Sequence, residues 1–200
     1  MASRALQRFS PAFERVLGQL HIGRALNGSA LAGVDMSESF RASVVLGVSA
    51  LDSYVHDLCV DGIVDSFHGT RPRNSNFGEI RISLTAAESW VQSGSHFWLE
   101  SEIRQIFARS TLQRPDDIAK ALRFIDDSPR KWVRIAACLG SNSQGVMARL
   151  NSIVDRRNMI VHEADVDPAW SLPRPITADE TEGATSFLND LVHAIDRECW

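Results

Sequence analysis

The chain has 200 residues, 44% of them hydrophobic and 23% charged, which are the proportions of an ordinary globular protein and exclude a disordered or fibrous one. That length suits one domain with a sizeable core, and apolar runs such as Val44 to Leu46 or Trp132 to Gly140 fall far short of the roughly 18 residues of a spanning helix. A formal net charge of −4 and a pI near 5.8 argue against a general nucleic-acid coat protein, which relies on a basic surface.

An enzyme acting on RNA remains compatible with this charge, because it needs only a local positive site. Arg71/Arg73, Arg130/Lys131/Arg134 and Arg156/Arg157 are the available clusters, each of them solvated surface by default. The opening Met1-Ala2-Ser3-Arg4 has no secretory apolar stretch, so a cytoplasmic protein without a membrane partner is expected. Cys59, Cys138 and Cys199 are odd in number and widely spaced, which points to buried thiols rather than disulfides or a zinc knuckle.

Apolar spacing points to helices almost throughout. Ser10-Pro11 reads as an N-cap followed by proline at the first helical position, opening a helix from about Pro11 to Leu26 through Phe13, Val16, Leu17 and Leu20. Asn27-Gly28 and Gly33 loosen the chain before the longest candidate, about Ser37 to Phe67, with a break expected at Gly62. His68 to Gly78 is rich in turn residues and begins an inserted segment that extends to about residue 140.

Within the insertion, Thr85 and Glu88 have capping-box spacing for a helix ending near Gly94. Phe97 to Arg109 forms a second helix, and Pro115-Asp116-Asp117 starts a third, which Ser128-Pro129 ends. Trp132 to Leu139 fits either a helix or a buried extended segment. Ser141 to Gly145 is hinge-like, Val146 to His162 has a clear helical pattern, and prolines 168, 173 and 175 exclude helix between about Asp167 and Ile176. Thr177 and Glu180 make another capping box, opening a last helix through Phe187, Leu188, Leu191 and Ile195. The fold class is therefore all-α, a single domain over residues 1–200 with a helical insertion at about 68–140.

Two charges interrupt apolar stripes. The stripe Val146, Met147, Leu150, Ile153, Val154, Ile160, Val161 demands an apolar residue at 157 and has Arg157. Along Val45, Val48, Val55 and Cys59 the same occurs at Asp52. An arginine on such a face must be paired, bind an anion or lie in an interface. A buried Asp52–Arg157 ion pair is the purely structural reading. Asn158 and His162 share a helix face, whereas Arg157 and His162 diverge by roughly 140° if the helix is regular. A histidine at a helix end often serves only as a C-terminal cap. Beside a guanidinium and an amide it acquires chemical reach, because the guanidinium can bind phosphate and the imidazole can carry a proton. The other histidines, His21, His68, His96 and His193, show no ligand spacing with one another or with the cysteines, so no metal or other cofactor is expected.

Arg157-Asn158-Met159-Ile160-Val161-His162 resembles the HEPN superfamily motif of Arg, a polar residue, three variable positions and His. Leu150 to His162 looks like the motif helix of that superfamily, and Ala42 to Leu58, with Asp52 inside it, resembles the long earlier helix with its inward acid. Thr111 to Leu122 is similar to the middle segment of the RiboL-PSP-HEPN branch.

The resemblance implies an antiparallel helical bundle that forms a homodimer, with Arg157 and His162 of both copies lining one composite cleft. It implies metal-independent cleavage of an RNA substrate by 2′-hydroxyl attack, leaving a 2′,3′-cyclic phosphate and a 5′-hydroxyl, often in toxin or antiviral defence settings. His162 is then the general acid or base and Arg157 stabilises phosphoryl charge. Asn158 orients the histidine or the phosphate, Asp52 holds Arg157 in its working rotamer, and His56, one turn beyond Asp52, either assists or is merely exposed. An antitoxin or sensor protein is a partner of the kind such proteins have. The alternative is a non-catalytic dimer that binds RNA, a nucleotide or a partner protein.

Overall fold

The computed structural model describes residues 2–27, 36–93 and 97–200; Gly28, Gly33, Gly94 and His96 lie outside them. The described residues form eight α-helices: α1 (Arg4–Asn27), α2 (Ser37–His68), α3 (Leu84–Ser93), α4 (Phe97–Phe107), α5 (Pro115–Leu122), α6 (Lys131–Cys138), α7 (Ser143–Glu163) and α8 (Ala178–Cys199). A single 3₁₀ turn spans Phe77–Glu79, and a two-stranded antiparallel ribbon, β1 (Val166–Asp167) and β2 (Leu172–Pro173), separates α7 from α8. The all-α class holds.

The central element is α2, which packs against α1, α4, α5, α7 and α8. It contains an 18-residue window of mean hydropathy 1.2, long and apolar enough by composition to cross a membrane, but 61% of that window is buried within the bundle. Leu51, Tyr54, Val55, Leu58, Cys59 and Ile63 are almost wholly buried. Side chains of this size stabilise by about 1.5–3 kcal/mol each when fully buried, and they explain why α2 survives the expected break at Gly62. A Cβ at Gly62 would meet Ile125 Cγ2 at 2.5 Å, so the glycine serves close packing against the chain after α5. The helix stops at Gly69, whose φ of 76° lets its N–H return to Asp65 and Ser66 carbonyls.

Helix α1 starts earlier than the Ser10-Pro11 signal indicates, and Pro11 lies inside it. The cost of an interior proline is about 3 kcal/mol. Against it stands a continuous buried face of Ala5, Phe9, Phe13, Val16 and Leu20, each large member contributing about 1.5–3 kcal/mol. The cap belongs to Ser3, whose Oγ accepts from Leu6 N at 2.9 Å. Ser3 also donates from its N to Asp196 Oδ2 at 3.2 Å and from its Oγ to Asp196 Oδ1, while Tyr54 OH donates to the same Oδ1 at 3.1 Å.

Among the described residues the segment 68–140 carries α3 to α6, with local corrections; α5 stops at Leu122, short of the Ser128-Pro129 end expected for it. The Thr85/Glu88 box does not open α3; Ser83 Oγ accepts from Ala86 N at 3.1 Å instead, and Ser83 N donates to Glu102 of α4. Residues 131–138, left open between helix and strand, form α6. Arg134 on α6 pairs with Asp126 at 3.1 Å and with Glu198 of α8 at 3.0 Å. The hinge expected at 141–145 is shorter, because Asn142 caps α7 by accepting from Gly145 N at 2.8 Å. The Thr177–Glu180 capping box on α8 is fully formed.

Candidate active site

Helix α7 positions the three motif residues. Val146, Leu150, Ile153 and Val154 bury its core face, and Arg157 follows on that face, half-buried. Its Nη1 donates to Asn158 Oδ1 at 3.1 Å, while Nε is buried and meets no acceptor among the described residues. The guanidinium has no carboxylate within 4.0 Å among them. Asn158 is half-buried as well, so the motif's polar residue orients the motif's arginine. His162 is exposed in the last turn.

The helix runs regularly to Glu163, so it does not end before His162. Arg157 and His162 consequently point about 140° apart, and no hydrogen bond joins them. One chain displays both groups on one helix without bringing them together.

The expected Asp52–Arg157 pair is absent. Asp52 Oδ1 instead accepts from Leu112 N at 2.5 Å and lies 3.7 Å from His56 Nε2. The reason is local: the residues before α5 cross between α2 and α7, and the Leu112 N–H needs an acceptor there. The same crossing places Arg114 against Asn151 at 3.3 Å and Asp155 at 2.5 Å on α7. His56 packs edge-on against Phe107, ring centroids 6.2 Å apart. Asp52 and His56 thus meet each other and the insertion, and neither bonds to Arg157 or His162.

A cluster invisible in the sequence sits just beyond the motif. Asp165, fully buried, accepts at Oδ2 from Arg41 Nε and from Arg156 Nη2, each at 2.8 Å. Arg41 also donates to Arg174 O at 2.6 Å, and Arg156 to Pro175 O at 3.0 Å. Ala164 and Asp165 both adopt left-handed backbone, φ 50° and 56°, which turns the chain sharply out of α7. Of the sequence pair Arg156/Arg157, the first is therefore committed to structure and the second is free for other work.

A groove of about 900 Å³ lies on the other flank of α7, between Ile153, Arg156 and Met159 and the α8 residues Thr181 and Ala184. Neither Arg157 nor His162 lines it. Arg156 there pairs with Asp165, and Arg149 donates to Gly183 O at 2.9 Å. Among the described residues, no three His, Cys, Asp or Glu side chains are grouped to hold a metal ion.

Cys59 and Cys199 are the buried thiols expected, and burial raises both, Cys199 to about 12; Cys138 is only half-buried, and its thiol is raised by desolvation and by its bond to Glu198.

No curated protein and no solved structure matches the chain. The family model described as RiboL-PSP-HEPN matches residues 25–200, a span that takes in all of α2 and α7, and the chain therefore belongs to that family within the HEPN superfamily, whose domains are often RNA-cleaving.

Proposed function

We propose that the protein is a metal-independent endoribonuclease that works as a homodimer with a composite site. The observation that carries this reading is Arg157: a half-buried guanidinium on the core stripe of α7, without a carboxylate partner among the described residues and oriented by Asn158. A structural arginine at such a position would be paired. An unpaired one suits a phosphate, which a guanidinium binds bidentately.

The divergence of Arg157 and His162 on α7 supports the dimer. Two copies of the motif helix facing each other across a dyad bring four groups around one phosphodiester. One His162 takes the proton from the ribose 2′-hydroxyl as its oxygen attacks phosphorus. The same residue of the second copy protonates the departing 5′-oxygen as the P–O5′ bond breaks. The products are a 2′,3′-cyclic phosphate and a 5′-hydroxyl. Positioned acid–base catalysis contributes about 10²–10⁴ in rate, and Arg157 stabilises the charge that builds on the phosphoryl oxygens. Asp52 and His56 hold the inserted segment against α2 and so support the bundle behind the site. A toxin or antiviral defence role in the cytoplasm, under the control of an antitoxin or sensor protein, fits such an activity.

The test is cleavage of RNA in EDTA, with end-group analysis of the fragments. Cyclic phosphate and 5′-hydroxyl ends are expected, and Arg157→Ala and His162→Ala dimers that remain folded should be inactive. Cleavage that requires metal, or that survives loss of His162, refutes the mechanism. RNA or nucleotide binding without cleavage favours a non-catalytic dimer.

A further inference from the structure

The ribbon that follows α7 carries an aromatic side chain that the fold does not use. Trp170, in the turn between β1 and β2, is 77% exposed. Burying a Trp removes 150–250 Å² from water, so an indole held out in solvent forgoes one of the largest apolar gains a side chain offers. The backbone beneath it is tightly bonded. Asp167 O accepts from Trp170 N at 3.2 Å and from Ser171 N at 2.8 Å, and the Asp167 carboxylate accepts from Ala169 N at 2.9 Å.

The base of the ribbon is anchored to the end of the motif helix. Val166 pairs with Pro173 and Asp167 with Leu172. Arg174 N donates to Asp165 O at 2.8 Å, and Arg174 Nη1 donates to Val166 O at 2.7 Å. Through Asp165 this base is joined to Arg41 and Arg156. The ribbon begins four residues after His162. Arg174 has no carboxylate within 4.0 Å among the described residues, so a cation is available at the base and an aromatic face at the tip.

We infer that Trp170 is a stacking platform for an unpaired base of single-stranded RNA running into the Arg157/His162 site, with Arg174 meeting the backbone phosphate on the way. The inference rests on the ribonuclease reading and names its substrate class. Only an unpaired, splayed base offers a free face to an indole, whereas a duplex does not. An aromatic platform with a nearby cation is how single strands are held without sequence preference. A protein partner fits less well, because a stable interface covers about 800 Å² on each side, and this ribbon offers only two large apolar side chains, Trp170 and Leu172, the latter 64% exposed.

The experiment uses the full chain carrying His162→Ala, so that RNA stays intact, and a short fluorescein-labelled single-stranded oligoribonucleotide read by anisotropy. Adding Trp170→Ala should weaken binding about 5- to 150-fold, and Trp170→Phe should retain most of it. In a series of oligonucleotides with single abasic positions, one position should weaken binding to the His162→Ala protein and leave the Trp170→Ala double variant unaffected. Equal affinity with and without Trp170 overturns the inference, as does a Trp170→Ala effect that appears only as a change of oligomeric state in sedimentation.

The two readings fail separately. Trp170-dependent binding of single strands by a wild-type chain that never cleaves RNA removes the ribonuclease reading and keeps the platform. Cleavage by the Trp170→Ala single variant at unchanged KM removes the platform and keeps the ribonuclease. A chain that binds no RNA removes both.

Discussion

Asp165 Oδ2 lies 2.8 Å from Arg41 Nε, and the two residues are separated by 124 positions in the chain. Arg41 is 5% and Asp165 0% exposed at the side chain; the buried carboxylate is held by Arg41 and Arg156, and the Arg41 guanidinium by Asp165 together with Glu38 and the Arg174 carbonyl. Removing one member of such a pair strands the other, at a cost of about 3–5 kcal/mol. Asp165→Ala should lower stability by that amount in urea unfolding, and Asp165→Asn, which keeps one acceptor, by less. A loss under about 1 kcal/mol would mean that Glu38 and solvent suffice to hold the Arg41 charge.

Arg157 should behave in the opposite way. Its guanidinium has no carboxylate partner and its Nε no acceptor among the described residues, so Arg157→Met, of similar length and apolar, should leave thermal stability unchanged or slightly raised. Cleavage should fall about 10²- to 10³-fold, the usual cost of losing one donor that stabilises developing charge. A marked drop in Tm would instead identify Arg157 as a structural residue.

At Gly62 two effects compete. Alanine gains about 0.8–1 kcal/mol of helix propensity over glycine, but its Cβ would lie 2.5 Å from Ile125 Cγ2, and overpacking costs about 1–3 kcal/mol. Ile125 is 5% exposed and has little room to retreat, so the clash wins and Gly62→Ala should be net destabilising. With Ile125→Ala the two changes should be non-additive, the double variant more stable than the sum of the singles. Chemical denaturation of the four proteins checks this.

Burial alone would raise the Asp126 carboxyl, but the hydroxyl and N–H of Ser128, helped by Lys131 and Arg134, hold it below the usual carboxylate range. The N–H of Ser128 donates at 2.9 Å and its Oγ at 2.5 Å. A carboxyl depressed in the folded state adds stability above its unfolded pKa, and that stability is lost as pH falls through the folded value. Asp126→Asn should therefore cost about 1 kcal/mol or more near neutral pH. The difference from the wild-type chain should vanish below the carboxylate range. Unfolding midpoints measured across that range decide it.

What the sequence revealed divides along the distance between partners. The Thr177–Glu180 box and the proline opening α5 involve neighbours in the chain, and both appear as expected. Pro11 misleads because a buried face running from Ala5 to Leu20 outweighs a local stop signal. The ribbon at 166–173 escapes notice because strands of two residues leave no alternation to read. In the site, the anomaly of Arg157 and of Asp52 on apolar stripes is legible from periodicity. Their partners are not: Asp52 answers a backbone N–H 60 positions away, and Asp165 answers Arg41 from across the chain. Spacing shows that a charge is out of place without showing what satisfies it.

The bonds from Ser3 to Asp196 make the start of α1 and the close of α8 neighbours, so the path of the described chain through the bundle nearly closes into a ring. The entropy of joining two points already in contact is small and grows only slowly with linker length. A short flexible connection between them would thus leave the bundle undisturbed, and the order in which its helices are strung together becomes separable from the architecture they build.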